Sequence, residues 1–279
     1  MRPDLSPQPS GFQQRMVMRH RGPAPVRVTD QVAEEVPVAL VFNGISHAVM
    51  MATPRDLEAL AVGFALTEGI VPGQSDIHDV VVHQLPAAAE VQLTIGQGAF
   101  MQLKQRRRAL AGRTGCGVCG IESLAMLDLE PAPLPAAPLP APLAPALARA
   151  ARGLAAQQVL MQATGGVHAA AWCGLDGAVH AVFEDVGRHN GLDKLVGHLA
   201  LQGADLRSGF AFLSSRASYE LVRKAARVGI PMLATISAPT SLAIDIAAQA
   251  GLKLVSFCRA DGFVDYSDGL RADAPLQPV

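Results

Sequence analysis

The sequence predicts an α/β protein in which a smaller, β-rich N-terminal portion precedes an α/β sandwich. In the second half, an apolar strand, a serine turn and a helix occur in residues 210–229 and again in residues 230–251, before a last strand at 252–258. This alternation predicts parallel strands joined by right-handed helical crossovers. Half of the 279 residues are hydrophobic but only 4% are aromatic, so an aliphatic core of helices and buried strands is expected.

Two contrasting segments open the chain. Residues 1–25 mix proline, glutamine, serine and arginine without periodicity, which favours a flexible arm. In residues 37–50, Asn43 and Gly44 separate two apolar, β-prone runs. An Asn-Gly pair in this setting predicts a tight β-hairpin.

A helix is predicted after the hairpin. Pro54 suits its first position, apolar residues follow at helical spacing, and Gly69 is a typical stop. Residues 77–103 are predicted to form further short strands. The N-terminal portion is therefore expected to span residues 26–130 and to end in a C-x-x-C loop.

Proline recurs every two or three residues in the segment that follows. This spacing excludes a regular helix or central strand and favours an extended connector at residues 131–146. The α/β sandwich is expected at residues 147–270, and residues 271–279 are expected to be a tail.

The segment around Cys116 and Cys119 pairs thiols with positive charge. Glycines surround both cysteines, so their loop can be accessible and adaptable. Nearby cations favour the thiolate, which is the form that attacks sulfur donors, and they could equally hold an anionic substrate. These basic residues are Lys104, Arg106, Arg107, Arg108 and Arg113.

Several chemistries share the C-x-x-C pattern. A structural zinc site normally needs four ligands, and no second C-x-x-C or H-x-E pattern is present. Cys173 and Cys258 lie in apolar, strand-like runs and are predicted to be buried structural thiols. Spacing alone favours dithiol redox chemistry and sulfur transfer equally.

A second polar cluster lies where a strand appears to pass into a helix. Its residues could supply an acid, a base and anion contacts, or could form a salt-bridged helix start, and the two readings are equally favoured. His168, which enters an apolar strand, is by itself more typical of a satisfied core histidine. The clustered residues are Glu184, Asp185, Arg188, His189 and Lys194.

Polar turns follow each of the last three predicted strands. Ser214, Ser215 and Arg216 follow the first, and residues 237–241 follow the second. Their hydroxyls and amides suit a phosphate, although ordinary helix capping explains them as well. The third turn contains Arg259, Asp261 and Gly262, at the position where α/β sheets bind ligands.

Charge and cysteine content exclude several classes of protein. A formal net charge of -1 gives no global basic field for nucleic acid or an anionic membrane. Four cysteines are too few for a secreted disulfide scaffold, and neither a signal peptide nor a transmembrane run is recognisable. The sequence therefore predicts a soluble, cytoplasmic protein with no nucleic-acid or membrane partner.

Five long motifs follow one another along the chain: GCGVCG, TGGVHAAAW, EDVGRHNGLDKLVG, SSRASYELVRKA and SAPTSLAIDIAAQAGLKLVSFCRADGF. In this order they resemble the motifs of the formate dehydrogenase accessory sulfurtransferases. The resemblance runs from residue 36 to residue 266.

This resemblance implies a sulfur relay. A cysteine desulfurase would load persulfide sulfur onto Cys116, with Cys119 as its partner, for transfer to the molybdenum or tungsten bis(molybdopterin guanine dinucleotide) cofactor of formate dehydrogenase. That cofactor would be a bound substrate, and no tightly held metal is expected. The implied cofactor contacts are Phe257, Cys258, Arg259, Ala260, Asp261 and Gly262.

The resemblance also implies a three-layer α/β sandwich similar to the cytidine deaminases, and a homodimer. Deamination itself is disfavoured, because the deaminase zinc signature is absent: Gly115 precedes Cys116, and alanine follows His168. The alternatives are a cofactor-binding chaperone or a dithiol redox protein that transfers no sulfur.

Overall fold

The computed structural model describes residues 10–108 and 131–267. The first of these ranges contains a short 3-10 turn at Gln74–Asp76 together with strands β1 (Phe12–Arg19), β2 (Val26–Ala33), β3 (Val36–Phe42), β4 (Ile45–Ala52), β5 (Ile77–Leu85) and β6 (Ala88–Ile95) and helices α1 (Leu57–Thr67) and α2 (Gln97–Arg108).

Strands β1 and β2 form a separate antiparallel ribbon. Phe12 lies opposite Ala33 and Arg19 opposite Val26. The expectation of a flexible arm over residues 1–25 is therefore wrong for residues 12–19. Pairing with β2 satisfies the backbone groups of a segment whose mixed polar composition carries no strand periodicity.

The second hairpin, β3–β4, confirms the Asn-Gly prediction. Asn43 and Gly44 both have positive φ, at 46° and 79°, as a two-residue turn of this hand requires. The Asn43 side chain also donates to Ile95 O at 3.0 Å and accepts from Ile95 N at 2.7 Å. The turn is thereby fastened to β6, within a four-stranded sheet of order β4-β3-β6-β5.

Helix α1 begins at Leu57, three residues after the predicted start at Pro54. The reason is tertiary, because the backbone of Thr53 is engaged elsewhere: its N–H donates to Asp185 Oδ2 and its carbonyl accepts from Lys194 Nζ, each at 3.0 Å. The predicted stop is confirmed, since Gly69 takes a left-handed φ of 62° just beyond the helix.

Helix α2 corrects the prediction of strands throughout residues 77–103. Strands β5 and β6 are present, but the chain is helical from Gln97. Ala99, Phe100 and Leu103 are buried against the core of the four-stranded sheet. Their spacing places these three residues on one face of a helix. The prediction of short strands did not take this helical spacing into account.

The second described range contains helices α3 (Leu143–Gln157), α4 (Val159–Thr164), α5 (Arg188–Leu201), α6 (Tyr219–Arg227) and α7 (Ser241–Ala250) and strands β7 (His168–Gly174), β8 (Val179–Asp185), β9 (Gly209–Leu213), β10 (Met232–Thr235), β11 (Lys253–Ser256) and β12 (Val264–Asp265).

These elements form a three-layer sandwich, as expected. The six-stranded sheet has the order β12-β11-β10-β9-β7-β8. Strands β9, β10 and β11 are parallel, whereas β7 is antiparallel to both β8 and β9. Alternate residues face opposite layers: Ala171 and Cys173 pack with α3, and Ala170 and Trp172 pack with α5, α6 and α7.

The segment at residues 131–146 has no helix or strand over residues 131–140 and becomes helical from Leu143. It lies on the sandwich: Leu134 N donates to Ala250 O at 2.8 Å, and Arg207 Nη2 donates to Ala136 O at 2.8 Å. Within the described ranges, no helix combines the length and apolar character that a membrane span needs.

Helices α1 and α5 cross at two glycines and join the N-terminal portion to the sandwich. A Cβ atom on Gly63 would lie 1.7 Å from Asp193 O, and one on Gly197 would lie 1.9 Å from Ala59 O. Only glycine permits this approach. Helix α1 is therefore buried on both sides, which explains why it is apolar around most of its circumference.

Buried ion pairs surround this crossing. Lys224 Nζ lies 2.8 Å from Asp193 Oδ2 and 2.9 Å from Glu68 Oε1, and Arg223 lies 3.0 Å from Glu68 Oε2. Thr67 Oγ1 donates to Asp193 Oδ1 at 2.7 Å. Although burial opposes charge, Lys224 and Arg223 hold the pKa of Glu68 below its usual range, and the carboxylates raise the pKa of Lys224.

Acid is therefore expected to destabilise the fold through Glu68. Its folded pKa lies below the ordinary 4.5, so as pH falls the unfolded chain takes up this proton first. The free energy of unfolding should decline from about pH 5 downward. Urea denaturation at several pH values will measure the slope. Glu68→Gln should lower stability near neutral pH, because it removes the carboxylate that pairs with Arg223 and that shares Lys224 with Asp193. It should also flatten the acid slope.

Glu58→Gln is the matched control, because Glu58 is exposed on the same helix. It should keep the wild-type slope. An unchanged slope in Glu68→Gln would mean that other carboxylates govern the acid response.

Candidate functional site

Polar residues converge at one edge of the six-stranded sheet. Strand β8 ends at Asp185, opposite His168 at the start of β7. Ser214 follows β9 and hydrogen-bonds through its backbone to β7. Ile236 follows β10 and donates to the last residue of β9, and Cys258 follows β11 and donates to the last residue of β10. Helices α5, α6 and α7 all begin on this side, as predicted for ligand-binding α/β sheets.

Positive charge dominates the part of the edge around His168. Burial lowers the pKa of this half-buried imidazole, and the charges of Arg188, His189 and Arg216 lower it further, against a weaker opposing effect of Asp185. His168 is therefore neutral near pH 7. It is not the core histidine that the sequence favoured, but a half-buried ring at the edge of the sheet.

Two donors in this cluster are buried without a hydrogen-bond partner among the described residues: Arg188 Nε and His189 Nε2. His189 Nε2 lies 3.9 Å from Glu220 Oε2, which is too long for a hydrogen bond. Their interaction is therefore mainly electrostatic, and the neighbouring ring lowers the pKa of Glu220. Buried, unpartnered donors beside helix starts suit an anionic ligand.

Other members of the polar cluster are structural, as the helix-start alternative proposed. Asp185 Oδ2 lies 2.6 Å from Lys194 Nζ, and both side chains are fully buried. Asp185 also accepts from Gly187 N and Asn190 Nδ2, both at 2.8 Å. Glu184 accepts two backbone amides at the start of α4. Arg188 and His189 remain as candidates for ligand contact.

The polar turns after β9 and β10 also contain both structural residues and a candidate for ligand contact. Ser214 Oγ accepts from Ala169 N at 2.8 Å, and Thr240 Oγ1 caps α7 by accepting from Ala243 N at 3.3 Å. Capping and sheet pairing therefore account for these hydroxyls. Arg216, exposed beyond β9, is the member of these turns that is placed to meet an anion.

The loop after β11 holds the predicted cofactor contacts. Phe257 is exposed and has a left-handed φ of 55°. Arg259 Nη1 donates to Ile236 O at 2.6 Å and to Cys258 O at 3.0 Å, so its guanidinium braces the loop. Ala260, Asp261 and Gly262 are exposed, whereas the Cys258 side chain has no exposed surface.

Cys173 and Cys258 are both buried, which confirms the prediction of structural thiols. Burial raises the pKa of Cys258 to about 11 and raises that of Cys173 still further. Cys116, Cys119 and Arg113 lie outside the described residues. Lys104 is within them, and its Nζ lies 4.3 Å from the centre of the Phe100 ring.

We expect Cys173 and Cys258 to be unreactive in the folded protein, because neither thiol is exposed nor ionised near neutral pH. In a Cys116→Ala/Cys119→Ala variant, a disulfide reagent such as Ellman's should react slowly at neutral pH. The same variant in denaturant should react rapidly at both remaining thiols. Rapid reaction of the folded variant would contradict the burial of these side chains.

A cavity of about 730 Å³ between the N-terminal portion and the sandwich was not foreseen from sequence. It lies between α2 and the C-terminal ends of α1, α5 and α6, so its lining comes from distant segments without a shared motif. Polar side chains at its rim include Gln74, Asp76, Gln102 and Arg227. In the described ranges, no group of three or more His, Cys, Asp or Glu residues is arranged to hold a metal ion.

Similar proteins were found by sequence. The family model described as FdhD/NarQ family matches residues 33–273. "Sulfur carrier protein FdhD" of Burkholderia mallei is 64% identical over 264 residues, which cover 93% of this chain and 96% of the relative. The protein of the same name from Chromobacterium violaceum is 67% identical over 240 residues, which cover 85% of this chain and 88% of the relative.

A solved structure has the same fold. A candidate formate dehydrogenase accessory protein from Desulfotalea psychrophila superimposes with a TM-score of 0.71 at 22% sequence identity. The superposition covers 91% of this chain and 96% of that chain. At this level of identity, the agreement concerns the architecture of the chain.

Proposed function

The chain belongs to the FdhD/NarQ family, and on that basis we propose that it is a sulfur carrier for formate dehydrogenase. It accepts persulfide sulfur on Cys116 from a cysteine desulfurase and transfers that sulfur to the bis(molybdopterin guanine dinucleotide) cofactor of molybdenum or tungsten. The cofactor is a bound substrate in this reaction. The names of the similar proteins support the carrier role.

The observation that carries the proposal is the cationic edge of the six-stranded sheet. The charges of Arg188, His189 and Arg216 act on His168 and lower its pKa. Two buried donors there, Arg188 Nε and His189 Nε2, lack hydrogen-bond partners among the described residues. A dinucleotide cofactor presents phosphates, which guanidinium groups and helix N-termini bind well. The loop at residues 257–262 lies on the same edge, beyond β11.

Sulfur acceptance needs a thiolate. The Cys116 thiolate attacks the terminal sulfur of the donor persulfide, a new S–S bond forms on Cys116, and the donor leaves as a thiolate. The basic residues near Cys116 in sequence favour the ionised form. Cys119 is the partner thiol in this scheme, placed three residues away to assist loading or release.

The proposed protein partners are the desulfurase, formate dehydrogenase and a second copy of the chain, all in the cytoplasm. Strands β1 and β2 support an association surface, because Met16 and Met18 are 66% and 50% exposed. Light scattering of the full chain should give the mass of a dimer. A monomer at micromolar concentration would remove this part of the proposal.

Two rival functions make different predictions. A cofactor-binding chaperone would activate formate dehydrogenase without any modified thiol. A dithiol oxidoreductase would form a reversible Cys116–Cys119 disulfide and retain no sulfane sulfur. The cationic edge fits the first rival as well as it fits a carrier, so the state of the cysteines must decide between them.

Intact-protein mass spectrometry after incubation with a cysteine desulfurase and cysteine tests the proposal. We expect a reducible gain of about one sulfur mass, which is present in wild type and absent in Cys116→Ala. Cys119→Ala should still load. No gain in wild type, with an active desulfurase, would favour the chaperone.

A further inference from the structure

A regular pattern of burial runs along the proline segment, residues 131–140, which lies on the surface of the sandwich. Every third residue is partly or fully buried, namely Pro131, Leu134, Ala137 and Pro140, and all the residues between them are exposed. The segment contains neither helix nor strand. A burial period of three residues in such a segment is that of the polyproline II helix, whose backbone φ proline favours.

Two hydrogen bonds fasten one side of the proline segment to the sandwich. Leu134 N donates to Ala250 O, and Arg207 Nη2 donates to Ala136 O, each at 2.8 Å. The Leu134 side chain packs against the core between the sheet and helices α5, α6 and α7. Among the described residues, no other donor reaches a carbonyl oxygen of the proline segment. One side of the segment is therefore fixed, and the other two sides offer unpaired acceptors to solvent.

The exposed sides carry apolar groups. Pro133, Pro135 and Pro138 are exposed, and the Leu139 side chain is 41% exposed. Pro135 and Pro138 are three positions apart, so they lie on the same side of a polyproline II helix, one turn from each other. The segment contains no charged residue. Recognition of this surface therefore depends on shape, apolar contact and hydrogen bonds to carbonyl oxygens.

A groove lined by tryptophan and tyrosine side chains is complementary to such a surface. Proline rings pack between flat aromatic side chains, and an indole N–H or a phenol O–H can donate to the exposed carbonyl oxygens. Because the prolines and the contacts with the sandwich order the segment before binding, docking costs little conformational entropy.

This chain cannot supply such a groove to a second copy of itself. It contains nine Phe, two Tyr and one Trp, all within the described ranges, and of these only Phe257 is classed as exposed. Trp172 is buried, and Tyr219 and Tyr266 are half-buried. The complementary groove therefore belongs to a different protein.

We propose that the proline segment docks into an aromatic-lined groove of the cysteine desulfurase that loads Cys116, an inference that rests on the proposed function and deepens it. Pro131 follows Cys119 by 12 positions, so the segment begins at most about 40 Å from the cysteine pair. A standard protein interface is about 30 Å across. A donor protein that reaches Cys116 is therefore large enough to contact the proline segment at the same time.

Interferometry of the full chain on immobilised cysteine desulfurase tests the docking. Pro135→Ala/Pro138→Ala should weaken binding by about 10-fold or more, because it removes two exposed rings from one side of the segment. Pro145→Ala is the matched control, because Pro145 is an exposed proline of α3 outside the segment. This control should bind as wild type does.

Substitution at Ala136 tests the conformation of the segment. Ala136→Gly leaves every proline ring in place but adds backbone freedom, so it should weaken binding by about 2- to 5-fold. Ala136→Pro should bind at least as tightly as wild type, since this exposed residue's N–H has no hydrogen-bond partner among the described residues. Weaker binding by Ala136→Pro would contradict a polyproline II helix at this position.

Equal affinities of wild type and Pro135→Ala/Pro138→Ala for the desulfurase overturn the docking site. A wild type that does not bind the desulfurase overturns it as well. Proline-dependent binding to formate dehydrogenase, without such binding to the desulfurase, overturns the choice of partner.

The rate of sulfur loading separates this proposal from the carrier function. At a desulfurase concentration far below saturation, Pro135→Ala/Pro138→Ala should load more slowly by the factor that its affinity has lost. At saturation the wild-type rate should return, because the thiols are unchanged. A chain that carries sulfur but binds the desulfurase independently of its prolines refutes the docking site alone. A chain that binds through its prolines but never carries sulfur refutes the carrier function alone.

Discussion

Cys116→Ala is expected to reduce activation of formate dehydrogenase by about 100-fold or more, because under the proposed function it removes the nucleophile that carries the sulfur. The readout is formate dehydrogenase activity in cells that lack their own copy of the carrier and receive the variant. The sheet edge that is proposed to bind the cofactor is built from residues 168–262, so cofactor binding by this variant should persist.

Cys173→Ala is the control for a loss of activation that results from replacing any cysteine of the chain. Cys173 is a fully buried thiol that faces α3, and its replacement should change stability modestly but leave activation near wild type. Full activation by Cys116→Ala would exclude a Cys116 persulfide. Loss of activation together with loss of cofactor binding would indicate misfolding, which circular dichroism of the purified variant would reveal.

Gly197→Ala is expected to destabilise the protein by about 3 kcal/mol, near the upper end of the cost of overpacking a core. The added methyl would lie 1.9 Å from the carbonyl oxygen of Ala59, a backbone atom that cannot rotate away. Relief requires α1 and α5 to separate, which would also stretch the buried contacts of Asp193. Equilibrium denaturation in urea measures the change.

Gly98→Ala is the matched control, because a Cβ on Gly98 in α2 meets nothing within 4 Å. It should be neutral or stabilising by up to about 1 kcal/mol, since alanine favours the helix. Gly63→Ala should resemble Gly197→Ala, since both clash at the same crossing. Wild-type stability in Gly197→Ala would mean that the two helices are less closely packed than the structure places them.

The features that were predicted correctly from the sequence depend on residues that are neighbours in the chain. The Asn43-Gly44 turn and the stop at Gly69 follow from backbone preferences at single positions. The parallel strands β9, β10 and β11 follow from alternating apolar strands and helices. The burial of Cys173 and Cys258 follows from their apolar surroundings.

Predictions from local patterns failed where hydrogen bonds to other segments compete with those patterns. Residues 12–19 have little strand periodicity, yet they pair with β2. Pro54 suits a helix start, but the backbone of Thr53 is held by Asp185 and Lys194, and α1 begins later. In each case hydrogen bonds to another segment, which is the neighbouring strand for residues 12–19 and a remote helix and strand for Thr53, outweigh a local preference of about 1 kcal/mol or less.

The sequence by itself thus predicted the α/β class, the parallel arrangement of the strands β9, β10 and β11, and the presence of polar residues at the strand ends. Tertiary structure alone decided their roles: it buried Asp185 with Lys194 and left Arg188, His189 and Arg216 around a neutral His168. The physical reason is that strand register and helix crossing bring together residues far apart in the chain. Charge, burial and pKa depend on those neighbours in space, which no local pattern records.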